Sequence, residues 1–183
     1  ATSNALTFNV TSNVTPSVSI TASATTSCAG SSVSFTATPT NGGTTPSYQW
    51  KVNGSNVGTN SSTYTTSSLQ NGDVVTCVLS SSLSCVTSSA VTSNAITMTI
   101  NAFSPVSVAI SSSVGTTICQ GTSATFTATP VNGGTTPSYQ WQVNGFNVGT
   151  NASTYTNSSL SNGDIVTCNM TSNAACPSPT TAS

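Results

Sequence analysis

The sequence predicts an all-β protein of two tandem antiparallel β-sandwiches arranged end to end. Three observations carry that expectation. Two long stretches are near-copies: Ser31 to Cys77 recurs as Thr122 to Cys168, with Cys28 matched by Cys119 and Trp50 by Trp141, 91 residues further on. Apolar and polar residues alternate with period 2 along most of each copy. Asn-Gly signals interrupt the alternation at regular intervals. Self-similarity at a fixed period marks a repeat architecture, and 183 residues accommodate two domains of sandwich size.

Val33, Phe35 and Ala37 alternate with Ser34, Thr36 and Thr38, and Asn41-Gly42-Gly43 follows as a turn. Tyr48, Trp50 and Val52 alternate with Gln49 and Lys51, and end at Asn53-Gly54. Trp50, and Trp141 in the second copy, therefore face inward as core residues. After Asn71-Gly72, the residues Val75, Cys77 and Leu79 alternate with Val74, Thr76 and Val78. The stretch from Thr92 to Ile100 is a last alternating strand. Thr, Val, Ile and Tyr favour strands, and no segment has helical periodicity. Pro16 and Pro105 mark the junctions. Residues 1–15 read as the final strand of a preceding or neighbouring repeat, 16–103 as repeat one, and 104–183 as repeat two lacking its final strand.

Only Lys51, Asp73 and Asp164 are charged, and there is no His, Glu or Arg. General acid–base catalysis has almost no material to work with. Nucleic-acid binding needs clustered cations, and one Lys cannot supply them. No Ser stands beside a His or Lys base in both repeats, which excludes triad chemistry. No apolar run is long enough to span a membrane. The surface is covered by Ser, Thr and Asn, as suits a displayed, assembled or sugar-coated protein. Six cysteines fit an oxidising, extracellular setting, and no closely spaced pair suggests zinc.

The order Tyr48-Gln49-Trp50, then Leu69, Asp73 and Cys77, resembles an immunoglobulin-like domain. Cys77 and Cys168 would occupy its strand-F cysteine position. Ala37 and Ala128 stand where the partner cysteine is usual, and Val75 and Val166 where a corner tyrosine is usual. The phrases Cys28 to Pro39, Tyr48 to Gly54, Asn71 to Cys77 and Thr92 to Ile100 are similar to the tandem immunoglobulin-like (PKD-like) repeats of large Bacteroidota cell-surface adhesins. That resemblance covers nearly the whole chain. It implies an extracellular, cell-surface location and use as a spacer, an adhesive surface or a fibre unit. It also implies disulfides within each repeat, Cys28–Cys85 and Cys119–Cys176, with Cys77 and Cys168 as buried thiols. In an immunoglobulin topology, however, Cys28 and Cys85 lie at opposite ends of a domain. Cys28–Cys176 and Cys28–Cys77 therefore remain alternatives.

Asp73 and Asp164 read as turn carboxylates rather than calcium ligands, because one carboxylate per domain is poor for Ca²⁺. No metal or cofactor is expected. Lys51 has Gln142 as its counterpart and no second acid nearby, which argues against an isopeptide bond. Outward Thr rows are compatible with ice or glycan binding, but β-propensity accounts for them. Asn9, Asn13, Asn53, Asn60, Asn151, Asn157 and Asn169 head Asn-x-Ser/Thr sequons, so glycan modification is open.

The termini are the most informative part. Thr2-Ser-Asn-Ala-Leu-Thr-Phe-Asn-Val10 repeats the pattern of Thr92 to Ile100. Thr2, Ala5, Leu6, Phe8 and Val10 are therefore expected to form an assembly strand that completes repeat two of another copy, head to tail. The step is either covalent, with Ser183 followed by the next Ala1, or an exchange between separate chains. The functional expectation is a non-enzymatic unit of a surface fibre, filament or adhesin stalk. The alternative is an adhesive module for glycan, ice or another surface.

Overall fold

Thr, Val and Tyr favour a pleated backbone. The computed structural model, which describes residues 3–183, is all-β, with no helix among those residues. The chain divides into two units, Ala1–Asn101 and Ala102–Ser183.

The first unit contains β1 (Ser17–Ala22), β2 (Thr26–Cys28), β3 (Val33–Thr40), β4 (Ser47–Val52) and β5 (Ser55–Val57). It continues with β6 (Thr63–Thr66), β7 (Val74–Ser80), β8 (Ala90–Thr92), β9 (Ile96–Thr97) and β10 (Thr99–Asn101). One antiparallel sheet has the order β1-β3-β6. The other runs β5-β4-β7, with β8 and β9 sharing the far edge of β7. β10 leaves that sheet and pairs in parallel with β2, setting Asn101 opposite Cys28. This strand order is that of an immunoglobulin-like sandwich.

The inward faces match the alternation of the sequence. Val18 and Ile20 of β1, Val33, Phe35 and Ala37 of β3, Trp50 of β4 and Val75, Cys77 and Leu79 of β7 are buried, joined by Leu69 and Met98. Phe35, Trp50 and Tyr64 pack as a triangle with ring centroids 6.2, 6.1 and 5.8 Å apart, within the range favoured by aromatic pairs. The Trp50 indole N–H donates to the Ser61 carbonyl at 2.9 Å, so the ring is buried without an orphaned donor. The β4–β5 turn places Asn53 and Gly54 at φ 51° and 81°, the left-handed pair that a two-residue hairpin requires.

The second unit contains β11 (Ser104–Pro105), β12 (Ser107–Ser112), β13 (Ala124–Val131), β14 (Ser138–Val143) and β15 (Phe146–Val148). It ends with β16 (Thr154–Asn157), β17 (Val166–Thr171), β18 (Pro177–Ser178) and β19 (Thr181–Ala182). Its sheets are β12-β13-β16 and β15-β14-β17-β19. The aromatic triangle recurs as Phe126, Trp141 and Tyr155, at 6.3, 6.2 and 5.9 Å. Trp141 is fully buried and donates to the Ala152 carbonyl.

Two expectations need correction. The strand over Thr92 to Ile100 is broken into pieces, because the Asn94 side chain turns to the Ile20 backbone of the other sheet instead of extending the ladder. The within-repeat disulfides are absent: Cys28 and Cys176 are disulfide-bonded, whereas Cys85 and Cys119 are free thiols, as are the buried Cys77 and Cys168. Cys85 is tied to Val14, just before β1, and Cys28 follows the far end of that strand. Six strand residues separate them by about 20 Å. A disulfide tolerates a Cα separation of only about 7 Å.

Replacing Trp50 with Ala should lower the stability of the first unit by about 3–5 kcal/mol, read as a fall in the urea midpoint. An unchanged midpoint would contradict the central place given to this ring.

Candidate functional site: an open groove in the second unit

The closing segment Ser93–Asn101 shows what an intact edge requires. The Ser93 N–H donates to the Cys77 carbonyl at 2.9 Å, and the Cys77 N–H donates to the Ser93 hydroxyl at 3.0 Å. Asn94 reaches across to the other sheet. Its Oδ1 accepts from the Ile20 N–H at 2.8 Å, and its Nδ2 donates to the Ile20 carbonyl at 3.1 Å. The side-chain amide thus stands in for a neighbouring strand. Further along, the Met98 N–H donates to the Asp73 carbonyl and the Gly72 N–H to the Met98 carbonyl, each at 2.8 Å. The Ile100 N–H donates to Asn71 Oδ1 at 3.0 Å. Met98 itself is buried in the core.

None of these bonds has a counterpart in the second unit among the described residues. β19 matches β8, the strand that leads into that segment, pairing Ala182 with Met170 as β8 pairs Val91 with Leu79. A groove of about 780 Å³ lies between the edge of β12 and the β16–β17 corner. Ile110, Cys119, Phe126, Leu160, Asp164 and Val166 are among the residues that line it. Ile20 is 3% exposed, but its counterpart Ile110 is 40% exposed. Leu69, Phe35 and Val75 are buried, whereas Leu160, Phe126 and Val166 are only half-buried. Ile20, Leu69, Phe35 and Val75 are all more buried than these counterparts, and Met98 of Ser93–Asn101 is buried with them in the core of the first unit.

The residues expected to form the assembly strand lie in the first unit, outside any strand. Leu6, Phe8 and Val10 are 76%, 83% and 89% exposed, and Ala5 is exposed as well. Thr2 lies outside the described residues. These three apolar side chains recur at every second residue and all stand in water. Sequence reasoning gave no role to Ser3 and Asn4. The signal was there, because Thr2-Ser3-Asn4 copies Thr92-Ser93-Asn94, but the contacts of Asn94 had to be seen first.

The two carboxylates behave as turn residues. Asp73 accepts from the Gln70 N–H at 2.8 Å and from Asn53 Nδ2 at 2.7 Å. Asp164 accepts likewise from the Ser161 N–H and Asn144 Nδ2, both at 2.8 Å. These two donors hold the Asp164 carboxyl below its ordinary range. Burial pushes the Cys77 thiol up to about 11 and raises that of Cys168. Hydrogen bonds from Thr11 and Ser84 lower that of Cys85. Several sequon asparagines serve turns as well: the side-chain oxygens of Asn60 and Asn151 accept the Tyr48 and Tyr139 N–H groups, each at 2.7 Å.

No protein-family model matches the chain, and no curated protein matches it. Among solved structures, it is similar to the three N-terminal domains of the Highly Immunogenic Outer Capsid protein (Hoc) of bacteriophage RB49. The identity is 14% and the TM-score 0.45, over 91% of this chain and 56% of that one. The chain thus spans little more than half the length of that structure.

Alkylation of the native chain should modify Cys85 and Cys119 well before Cys77 and Cys168, as followed by peptide mass spectrometry. Early labelling of Cys77 would contradict its burial. The lowered pKa of Asp164 also sets a sign. Its contribution to stability is present above the unfolded value near 3.8 and is lost as pH falls through the lower folded value. Melting of the second unit should therefore weaken on acidification in that range, and Asp164→Asn should flatten the dependence.

Proposed function

We propose that the chain is a non-enzymatic structural unit of an extracellular, cell-surface fibre, filament or adhesin stalk. In this reading, the groove of the second unit is filled by residues 3–11 of the adjacent unit. That unit is either a separate chain or the next stretch of a longer polypeptide. One observation carries the reading: the empty groove and the exposed segment are the two halves of a contact that the first unit makes within itself.

The match is residue by residue. Ser3 takes the place of Ser93, facing the backbone of Cys168. Asn4 takes that of Asn94 and clips the N–H and carbonyl of Ile110. Leu6, Phe8 and Val10 take the places of Ile96, Met98 and Ile100. An apolar groove with unpaired backbone groups along its rim is a standing acceptor for a strand, and filling it is β-augmentation. Because donor and acceptor surfaces differ, each added unit presents a fresh groove, and the repeated step makes a filament rather than a closed dimer. A formal net charge of −1 leaves little repulsion between copies. The disulfide-bonded Cys28 and Cys176 favour an oxidising, extracellular setting.

The full chain, without added oxidant, should self-associate in a concentration-dependent way in analytical ultracentrifugation. Phe8→Asp should weaken that association at least about 100-fold, since an unpaired carboxylate would enter the groove. Phe8 is exposed, so the melting temperature of the first unit should not move. A wild-type chain that stays monomeric at high concentration, or a Phe8→Asp chain that associates normally, would overturn the reading.

A further inference from the structure

We propose that Cys119 of one unit and Cys85 of the unit that fills its groove form an inter-unit disulfide, locking the filament covalently. This inference rests on the strand-filling reading and adds a bond that the reading does not require.

The cysteines occupy two kinds of position. Cys28 and Cys119 precede the second long strand of each repeat, and Cys85 and Cys176 follow β7 and β17. Cys28 and Cys176 are disulfide-bonded. One thiol of each kind remains: Cys119, exposed on the groove wall, and Cys85, half-buried at the surface.

The closing segment links these two sites through a single residue. In the first unit, Asn101 stands opposite Cys28, and its carbonyl accepts from the Ala29 N–H at 2.9 Å. In the filled groove, Thr11 takes the place of Asn101 and Cys119 that of Cys28. Paired strand residues sit about 5 Å apart. Thr11 Oγ1 already lies 2.9 Å from Cys85 Sγ of its own chain. The neighbouring backbone fixes this arrangement: the Val14 N–H donates to the Cys85 carbonyl at 3.0 Å, and the Thr87 N–H to the Val14 carbonyl at 2.9 Å. The residue that arrives opposite one thiol is therefore the residue that touches the other. Cys85 also borders a depression of about 230 Å³ lined by Thr11, Ser12, Val14, Leu83 and Ser84, which leaves room for the incoming turn around Cys119.

The oxidant is a low-molecular-weight disulfide. The Cys85 thiolate attacks one of its sulfurs, forming a mixed disulfide and releasing one small thiolate. The Cys119 thiolate then attacks the Cys85 sulfur and releases the second. Two protein thiols are oxidised, one small disulfide is reduced to two thiols, and the protons lost by the cysteines end on the released thiolates. Hydroxyl contacts that favour the Cys85 thiolate assist the first attack, and the buried Cys77 and Cys168 do not compete.

The full chain, incubated with oxidised glutathione, should give a ladder of covalent multimers on non-reducing gels, with a Cys85–Cys119 cross-linked peptide by mass spectrometry. Cys85→Ser and Cys119→Ser should each abolish the ladder. An equimolar mixture of the two variants should give one covalent dimer and nothing larger, because each variant keeps one half of the link. Association of the chain without added oxidant, followed in parallel by ultracentrifugation, separates the two ideas. Association without any ladder on oxidation overturns the lock and leaves strand filling standing. Failure to associate at all overturns both. A ladder that persists in Phe8→Asp overturns the proposed placement through Thr11.

Discussion

Each sandwich has one open side, between the edge of β1 or β12 and the corner before β7 or β17, where apolar core and backbone groups need cover. In the first unit, a single nine-residue segment does this work by three different means. It adds to the β7 edge, it sends the Asn94 amide across to β1, and it buries Met98 between them. The degree of burial elsewhere depends on that segment. Ile20, Leu69, Phe35 and Val75 are dry where it is present, and their counterparts are wet where it is not. Hydrophobic burial scales with area removed from water, so the same inward residues contribute less in an unfilled second unit.

The aromatic triangle is largely independent of that edge. Its geometry differs by no more than about 0.1 Å between the units, whether or not the closing segment is present. The two sheets are held at the middle by the tryptophan, its tyrosine and phenylalanine neighbours and the indole hydrogen bond. The edge can therefore remain open without loss of the fold, and a preformed groove costs less to fill than one that must first be ordered.

Much of the fold was legible from period-2 alternation and Asn-Gly turns. The inward residues of β3, β4 and β7 were read correctly because a pleated strand leaves no freedom in which face a side chain takes. The break in the last strand was not legible. It depends on Asn94 bonding to a residue 74 positions away, and no local pattern encodes such a contact. The cysteines were legible in part. The family resemblance implied Cys28–Cys85, which the length of β1 keeps apart, whereas the topology had already left Cys28–Cys176 open, and those two are the disulfide-bonded cysteines. Tyr64 and Tyr155 passed unnoticed as ring partners because they lie on short strands whose packing becomes evident only in three dimensions. The likeness of Thr2–Val10 to Thr92–Ile100 was legible, but the asparagine clip at Ile20 was not.

Lys51 sits in β4, an interior strand of its sheet. It is the only Lys or Arg in the chain, so proteases that cut after basic residues have one peptide bond to attack. That bond lies within β4, where Lys51 pairs with Asn56 on one side and Thr76 on the other. A protease must bind its target as a free extended strand, and this backbone is already occupied on both edges. The folded chain is closed to trypsin-like digestion by its composition and its topology together.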